Sequence, residues 1–309
     1  MATLKTTDVK NVREDLGDFI SDISPKETPV LSSIGKTKAS NTYHETLKDS
    51  LAAANKDNAR PEGDDAPAAN NVGPTRIGNW TQIFSKQVSV AGTLEAVNKA
   101  GVRSEKARQI AKAGLEMKRD QEAAITSDNA SVAAGTRKLG GIGAWLETNV
   151  DHGASGAVGG FSNGIVAAPT DGTNRVLTED MFKDMAQKVW SEGGDPTLVF
   201  APGDLKALIS TFDGGATKFL ATDKETIYAN ADIYVSNFGT HKIIPHRYMP
   251  VTNVYFLDKS LWNKAVLRGV AKYDLAKTGD SEKMELVEEF TLECLNEAGN
   301  GAIRDVTAS

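Results

Sequence analysis

Residues 102–127 read VRSEKARQIAKAGLEMKRDQEAAITS. Ala107, Ile110, Gly114, Met117 and Ala124 recur at steps of three and four, with Gln121 interrupting the row. Arg103, Lys106, Lys112, Glu116, Arg119 and Glu122 cover the remaining surface. That spacing predicts an amphipathic helix about 39 Å long at 1.5 Å per residue. Its apolar row is made largely of small residues, so the packing partner is expected to come close to the helix backbone. On this stretch alone, one long helix lying on a sheet in an ordinary enzyme remains open. The segments on either side decide between readings.

Downstream, residues 282–297 read EKMELVEEFTLECLNE. Met284, Leu286, Phe290, Leu292 and Cys294 alternate onto one face, with Glu288 as the exception. Glu285, Glu289, Glu293 and Glu297 take the other face, with Val287 and Leu295 among them. This predicts a strand more than twice the usual five or six residues, matched in length to the helix. A long helix along a long strand makes an elongated platform.

Upstream, residues 38–51 and 76–91 are strand-like, the second rich in β-branched and aromatic residues. Between them, residues 55–74 (NKDNARPEGDDAPAANNVGP) hold no large apolar residue except Val72. Such a composition buries too little surface to order itself. Two strands flanking a polar tip predict a long projecting hairpin, and a loop of this size in a compact domain is usually functional.

The rest of the chain is quieter. Residues 1–36 are polar and punctuated by Pro25 and Pro29, with a short helix expected around 9–20; they read as an arm. Nine glycines fall within 135–164, predicting a flexible connection with few regular hydrogen bonds. From Val176 a small α/β unit is expected. Thr178 caps a helix whose face carries Met181, Phe182, Met185 and Val189 and which Gly193 and Gly194 end. TLVFA is a strand, PGDLKALISTF a second helix, and two further strands are broken by Pro245 and Pro250.

With 309 residues and 40% apolar and 25% charged content, the chain is that of a folded protein of one or two domains. A net charge of -6 gives no basic footprint for direct nucleic-acid binding. Cys294 is the only cysteine, which excludes internal disulfides and cysteine-based zinc sites. The first residues lack the apolar core of a secretion signal, and no run of about 18 apolar residues is present, so a membrane partner is not expected.

Motifs of catalysis fail one by one. Gly35-Lys36-Thr37 resembles the end of a phosphate loop, but position 30, where that loop needs glycine, is Val30; a turn is expected there. Gly153-Ala154-Ser155-Gly156 lacks the final glycine of a nucleophile elbow. Of the four histidines, His44, His152, His241 and His246, the last two are five apart and fall on opposite faces of a strand, so they read as surface or packing residues. Glu285, Glu289 and Glu293 are about 13 Å apart along a strand, too far to share an ion. Asp213-Gly214-Gly215 reads as a turn. No nucleophile, base and oxyanion donor converge. The chain is read as non-enzymatic, with no cofactor and no metal.

Four segments in order resemble one family of tailed-bacteriophage major capsid proteins with the Hong Kong 97 phage capsid fold: TPVLSSIGKTKASNTYHETLKDSL, PTRIGNWTQIFSKQVSVAGT, YVSNFGTHKIIPHR and LAKTGDSEKMELVEEFTLECLNEAGNGAI. The resemblance is weakest in the glycine-rich middle and over residues 1–25. It implies an α+β fold with an N-terminal arm (1–36), an extended-loop β-hairpin (37–97) and the spine helix of a peripheral domain (98–134). A glycine-rich connection (135–175) follows, then an axial α/β domain (176–250) and return strands completing the peripheral domain (251–309). The chain departs from better-known members in lacking a long helical N-terminal region, and nothing in it supports a lysine–asparagine crosslink.

The function implied is self-assembly into an icosahedral head shell enclosing phage DNA, as pentamers and hexamers. Expected partners are copies of the chain itself, with scaffold, portal and decoration proteins, and DNA enclosed without specific binding. The expected place is the virion capsid, assembled in the host bacterial cytoplasm. Arg60, Glu62, Asp64 and Asp65 at the hairpin tip are the candidate subunit-interface residues, either as partners for opposite charges on a neighbour or as solubilising charges. Trp80 and Phe84 are the candidate hairpin packing anchors. Two rivals stay open: an encapsulin-like shell enclosing enzymes, and a nucleotide-binding or hydrolytic enzyme using Lys36.

Overall fold

The computed structural model describes residues 24, 26–63, 65, 73–98, 101–212 and 233–309. The expected helix around 9–20, Asp64, and the turn at Asp213-Gly214-Gly215 lie outside the described residues. Helix α1 (Pro29–Ser33) leads into strand β1 (Gly35–Lys38), so the Gly35-Lys36-Thr37 segment is a strand and not a turn. A hairpin follows, β2 (Tyr43–Lys48) and β3 (Thr75–Trp80), then β4 (Gln82–Ala91) and α2 (Gly92–Ala96). The long helix is α3 (Glu105–Ile125). Next come α4 (Ile142–Trp145) and four short strands, β5 (Val150–Asp151), β6 (Gly160–Ser162), β7 (Ile165–Ala167) and β8 (Arg175–Val176). The α/β stretch holds α5 (Glu179–Ser191), β9 (Leu198–Ala201), α6 (Gly203–Ile209), β10 (Ile233–Ser236), β11 (Gly239–Pro245) and β12 (Val254–Leu257). Two long strands, β13 (Trp262–Asp274) and β14 (Ser281–Cys294), precede β15 (Gly301–Ile303) and β16 (Val306–Thr307).

The first sheet has the order β1-β13-β14-β4, with α3 laid on it. Ser104 starts that helix by accepting the Ala107 N–H at 3.2 Å, a cap worth about 1 kcal/mol. The buried stripe is Ala113, Met117, Gln121 and Ile125, with Glu122 beside it. It is rotated from the expected row: Ala107 is exposed and a Cβ at Gly114 would meet open space, so no neighbour crowds the backbone there. The rotation follows from a second flank of α3, toward Glu122, being covered by α1.

β14 also departs from simple alternation. Every residue from Leu286 to Cys294 is buried. The even-numbered positions face α3, as the Gln121–Glu288 hydrogen bond shows. The odd-numbered Glu289 and Glu293 are covered by the root of the hairpin, through Thr81 and His44. A strand covered on both faces hides its acidic row, which periodicity alone places in solvent.

The glycine-rich stretch is not a flexible connection. Ile142, Ala144, Trp145 and Leu146 are core residues, and Trp145 stacks on Phe161 at 5.9 Å. A Cβ on Gly141 would collide with the Ser127 carbonyl, and one on Gly143 with Asp128. These glycines mark tight backbone approach rather than mobility.

The second sheet has the order β10-β11-β9-β12-β15-β5 and carries α5 and α6. It therefore recruits strands from before 176 and after 250, beyond the limits expected from sequence. Thr178 caps α5 by accepting the Met181 N–H, and Phe182, Met185, Ala186 and Val189 form its buried face, as expected. Gly193, with φ +86°, ends the helix. Alternation along β9 sends Val199 and Ala201 toward the helices and Phe200 into the core shared with the first sheet. One sheet thus separates two contiguous cores. No helix among the described residues is long and apolar enough to cross a membrane.

Candidate assembly interface

The hairpin has a fixed root and an uncovered outer part. β2 and β3 pair antiparallel from Tyr43↔Trp80 to Lys48↔Thr75. At the root, the Tyr43 and Trp80 rings lie 4.8 Å apart, and Trp80 Nε1 donates to the Gly164 carbonyl at 3.3 Å. Buried Asn79 donates from Nδ2 to the carbonyls of Gly140 (3.1 Å) and Leu292 (3.0 Å), and its Oδ1 accepts the Gly140 N–H at 2.8 Å. Along β2, His44 Nε2 meets Glu293 Oε1 at 3.2 Å, Thr46 Oγ1 donates to the Cys294 carbonyl, and Lys48 Nζ sits 3.3 Å from Glu297 Oε1. The His44 hydrogen bond holds the Glu293 carboxyl below its usual range, against the opposing effect of burial. Beyond Lys48, the described residues of the tip are exposed, and Leu51 is 98% exposed.

At the tip, Arg60 Nη2 donates to the Asp65 main-chain carbonyl at 2.8 Å. Gly63, with φ +82°, lies between the two, and Asp65 is exposed. Glu62 is exposed. Of the two expected anchors, Trp80 sits at the hairpin root. Phe84 does not: it lies on β4, stacked on Phe290 at 4.9 Å in the helix–sheet core. The reason is a change of sheet at Thr81. Its N–H bonds the Thr42 carbonyl and its hydroxyl donates to Glu289, after which the chain leaves the hairpin for β14.

Glu289 is a residue that sequence reasoning missed. It gathers Thr81 Oγ1 (2.8 Å), Arg137 Nη2 (2.7 Å) and Arg268 Nε (2.7 Å). Burial raises its carboxyl, but the hydrogen bonds from Thr81, Arg268 and Arg137 outweigh burial and hold it below the ordinary range. Glu122 is a second such residue. Its Oε1 accepts the Val30 N–H (2.7 Å) and faces His246 Nε2 (2.8 Å), and its Oε2 accepts the Leu31 N–H (2.9 Å). A third centre is Arg304, bidentate on Asp128 at 2.9 and 3.0 Å. For a fourth buried contact the sequence did give a signal. Gln121 broke the apolar row of the helix and Glu288 broke that of the strand, and the structure joins the two at 2.6 Å, with Lys264 Nζ 2.7 Å from Glu288.

The second unit presents its own open surface. Trp190 and Phe238 tilt together at 5.4 Å over a cleft of about 590 Å³ lined by Gly194, Asp195, Thr197 and Thr240. Ile233 and Val235 are exposed on β10, the edge strand of that sheet among the described residues. His241 and His246 are buried packing residues on separate hydrogen-bond networks, and no group of three potential metal ligands occurs among the described residues. What this geometry offers is two sheets joined by a common core, with a polar hairpin attached through its root.

Comparison with known proteins gives the same direction. A family model described as the SU10 major capsid protein matches residues 2–307. The chain is 29% identical over 324 residues to the major capsid protein of Escherichia phage Phieco32, covering 93% of this chain and 92% of that protein. Among solved structures, the capsid asymmetric unit of cyanophage A-1(L) superposes with a TM-score of 0.66 at 14% identity, covering 98% of this chain and 100% of the other. The holo-SrpI encapsulin of Synechococcus elongatus superposes with a TM-score of 0.59 at 10% identity, covering 100% and 98%. At such identities the structural likenesses speak for the fold, which is the Hong Kong 97 phage capsid fold, and the family match distinguishes phage capsid from encapsulin.

Proposed function

The chain belongs to the SU10 major capsid protein family, and from that premise we propose how its copies join. It is a structural protein of the bacteriophage capsid that forms the shell by association with copies of itself. The joining elements are the hairpin, which reaches over a neighbouring subunit, the N-terminal arm, and the unit built around α5 and α6, which gathers at ring centres as the axial domain. The platform of α3 and β14 is the peripheral domain. The observation that carries this reading is the contrast within the hairpin: a buried, hydrogen-bonded root, and an outer part that its own subunit leaves uncovered, Leu51 included.

A polar segment of this kind loses conformational entropy only when it docks, so each contact is weak alone. A closed shell repeats those contacts and gains from their multivalency, while weak single contacts let misplaced subunits leave. Ring contacts are heterologous and close because the rotation closes. Arg60, Glu62, Asp64 and Asp65 meet opposite charges on the neighbour. Scaffold, portal and decoration proteins are the further partners, assembly takes place in the host cytoplasm, and a net charge of -6 suits a wall that encloses DNA without gripping it.

The test compares wild type with Leu51→Asp and Arg60→Glu by sedimentation velocity and electron microscopy. Neither substitution touches the core, so thermal stability is expected within about 0.5 kcal/mol of wild type. Shell yield is expected to fall sharply for both. Shells of unchanged yield from the double variant would leave the hairpin tip with solubility as its only role.

A further inference from the structure

Three separate parts of the chain meet at the carboxylate of Glu122, which is buried along with the His246 side chain. Val30 and Leu31 lie in the first turn of α1, where main-chain N–H groups have no acceptor within the helix, and both donate to Glu122. His246 belongs to the turn that follows β11. Its Nδ1 accepts the N–H groups of Tyr248 (3.1 Å) and Met249 (3.0 Å), so it carries no proton, and Nε2 donates to Glu122. Three hydrogen-bond donors thus converge on the one side chain of Glu122. A second link crosses the same joint, with the Arg119 guanidinium 5.6 Å from the centre of the Tyr248 ring.

We propose that Glu122 couples the seating of the N-terminal arm to the seating of the 246–249 turn on the spine helix, making it the positioning residue that aims the arm. The reasoning is local electrostatics. If α1 lifts away, Glu122 loses two of its three hydrogen-bond donors and the cover that buries it. The carboxylate then moves toward solvent, His246 loses its acceptor, and the turn held by Nδ1 loosens with it. The two seatings rise and fall together. The coupling within one subunit stands by itself; that it governs the arm's reach to neighbours rests on the capsid reading above.

The experiment is hydrogen exchange on the full chain, with tryptic cleavage after Lys26 as a second readout. Shell formation is scored separately, so a failure of the coupling and a failure of the assembly reading are distinguishable. In wild type, the Val30 and Leu31 amides are expected to be protected like sheet amides. Val30→Pro removes the shorter arm-side donor in the first turn of α1, where that N–H has no acceptor within the helix, and also trims a buried side chain. It is expected to speed cleavage after Lys26 and also exchange at Tyr248 and Met249, each by at least about tenfold, the scale of losing a hydrogen bond to a charged group. Glu122→Gln is expected to do both more strongly. Faster cleavage after Lys26 with unchanged exchange at 248–249 would overturn the coupling. If either variant fails to fold, wild type decides: freely exchanging Val30 and Leu31 amides would overturn it as well.

Discussion

Glu289 shows what a single carboxylate does here. It links the hairpin root at Thr81 with Arg137 and with Arg268 on β13, and it does so under cover of the hairpin. Its two arginine partners remain partly exposed, so replacing it by glutamine is expected to cost about 2 kcal/mol, below the figure for a fully buried pair. The sign of the pH effect follows from the direction of the shifts. Glu289 and Glu293 are both held below the ordinary carboxylate value. Their contribution is present in full above about pH 4.3, the unfolded value, and is lost as pH falls through the lower folded values. A melting series is therefore expected to show an added loss of stability below about pH 4, shallower in Glu289→Gln than in wild type. Cys294 gives a simpler expectation. Its thiol is buried and pushed up by that burial, so thiol reagents are expected to label it only after unfolding. Labelling of the native protein at the denatured rate would place it at the surface.

Residues of this kind were the least legible in the sequence. A glutamate in an alternating strand reads as solvated unless something covers the second face, and the cover on β14 comes from a hairpin about 200 residues earlier. Glu122 read as helix surface for the same reason, since the arm that caps it is remote in sequence. The mismatches were the useful signal. Gln121 and Glu288 each broke an apolar row, and two polar intrusions on facing elements pair with each other.

At the scale of elements, periodicity served well where one face decides. The helix α3, the strand β14 and α5 with its Thr178 cap stand within a few residues of where the pattern put them, whereas the expected second hairpin strand, 76–91, divides at Thr81 and gives its later part to the first sheet. Composition misled in the glycine-rich stretch. Glycine density is the same whether a chain must bend freely or must let two backbones touch, and here it is the second. Gly141 is the clearest position to test. Alanine there would drive its Cβ into the Ser127 carbonyl, which is backbone and cannot swing aside. Gly141→Ala is expected to destabilise by about 2 kcal/mol in chemical denaturation. A change under about 0.5 kcal/mol would return this stretch to the class of flexible connections.

At the scale of the whole molecule, two sheets share a continuous core, and the second sheet draws strands from three distant parts of the chain. Sequence reading drew the boundary of that unit at 250 because it followed the chain, whereas β12 and β15 return to it later. The shared core ties the two sheets into one body, on which the hairpin root is held by Asn79 and Trp80. The capsid role itself was legible because four separate segments agreed in order, while the contacts between subunits belong to surfaces that one chain cannot display. The measurement that addresses those contacts most directly is electron cryomicroscopy of shells assembled from the wild-type chain. The expected map places residues 49–65 of each subunit over its neighbour, with Leu51 covered and Arg60 facing an acidic group. Closed shells whose hairpin tips stand clear of every neighbour would contradict the mechanism of joining proposed here.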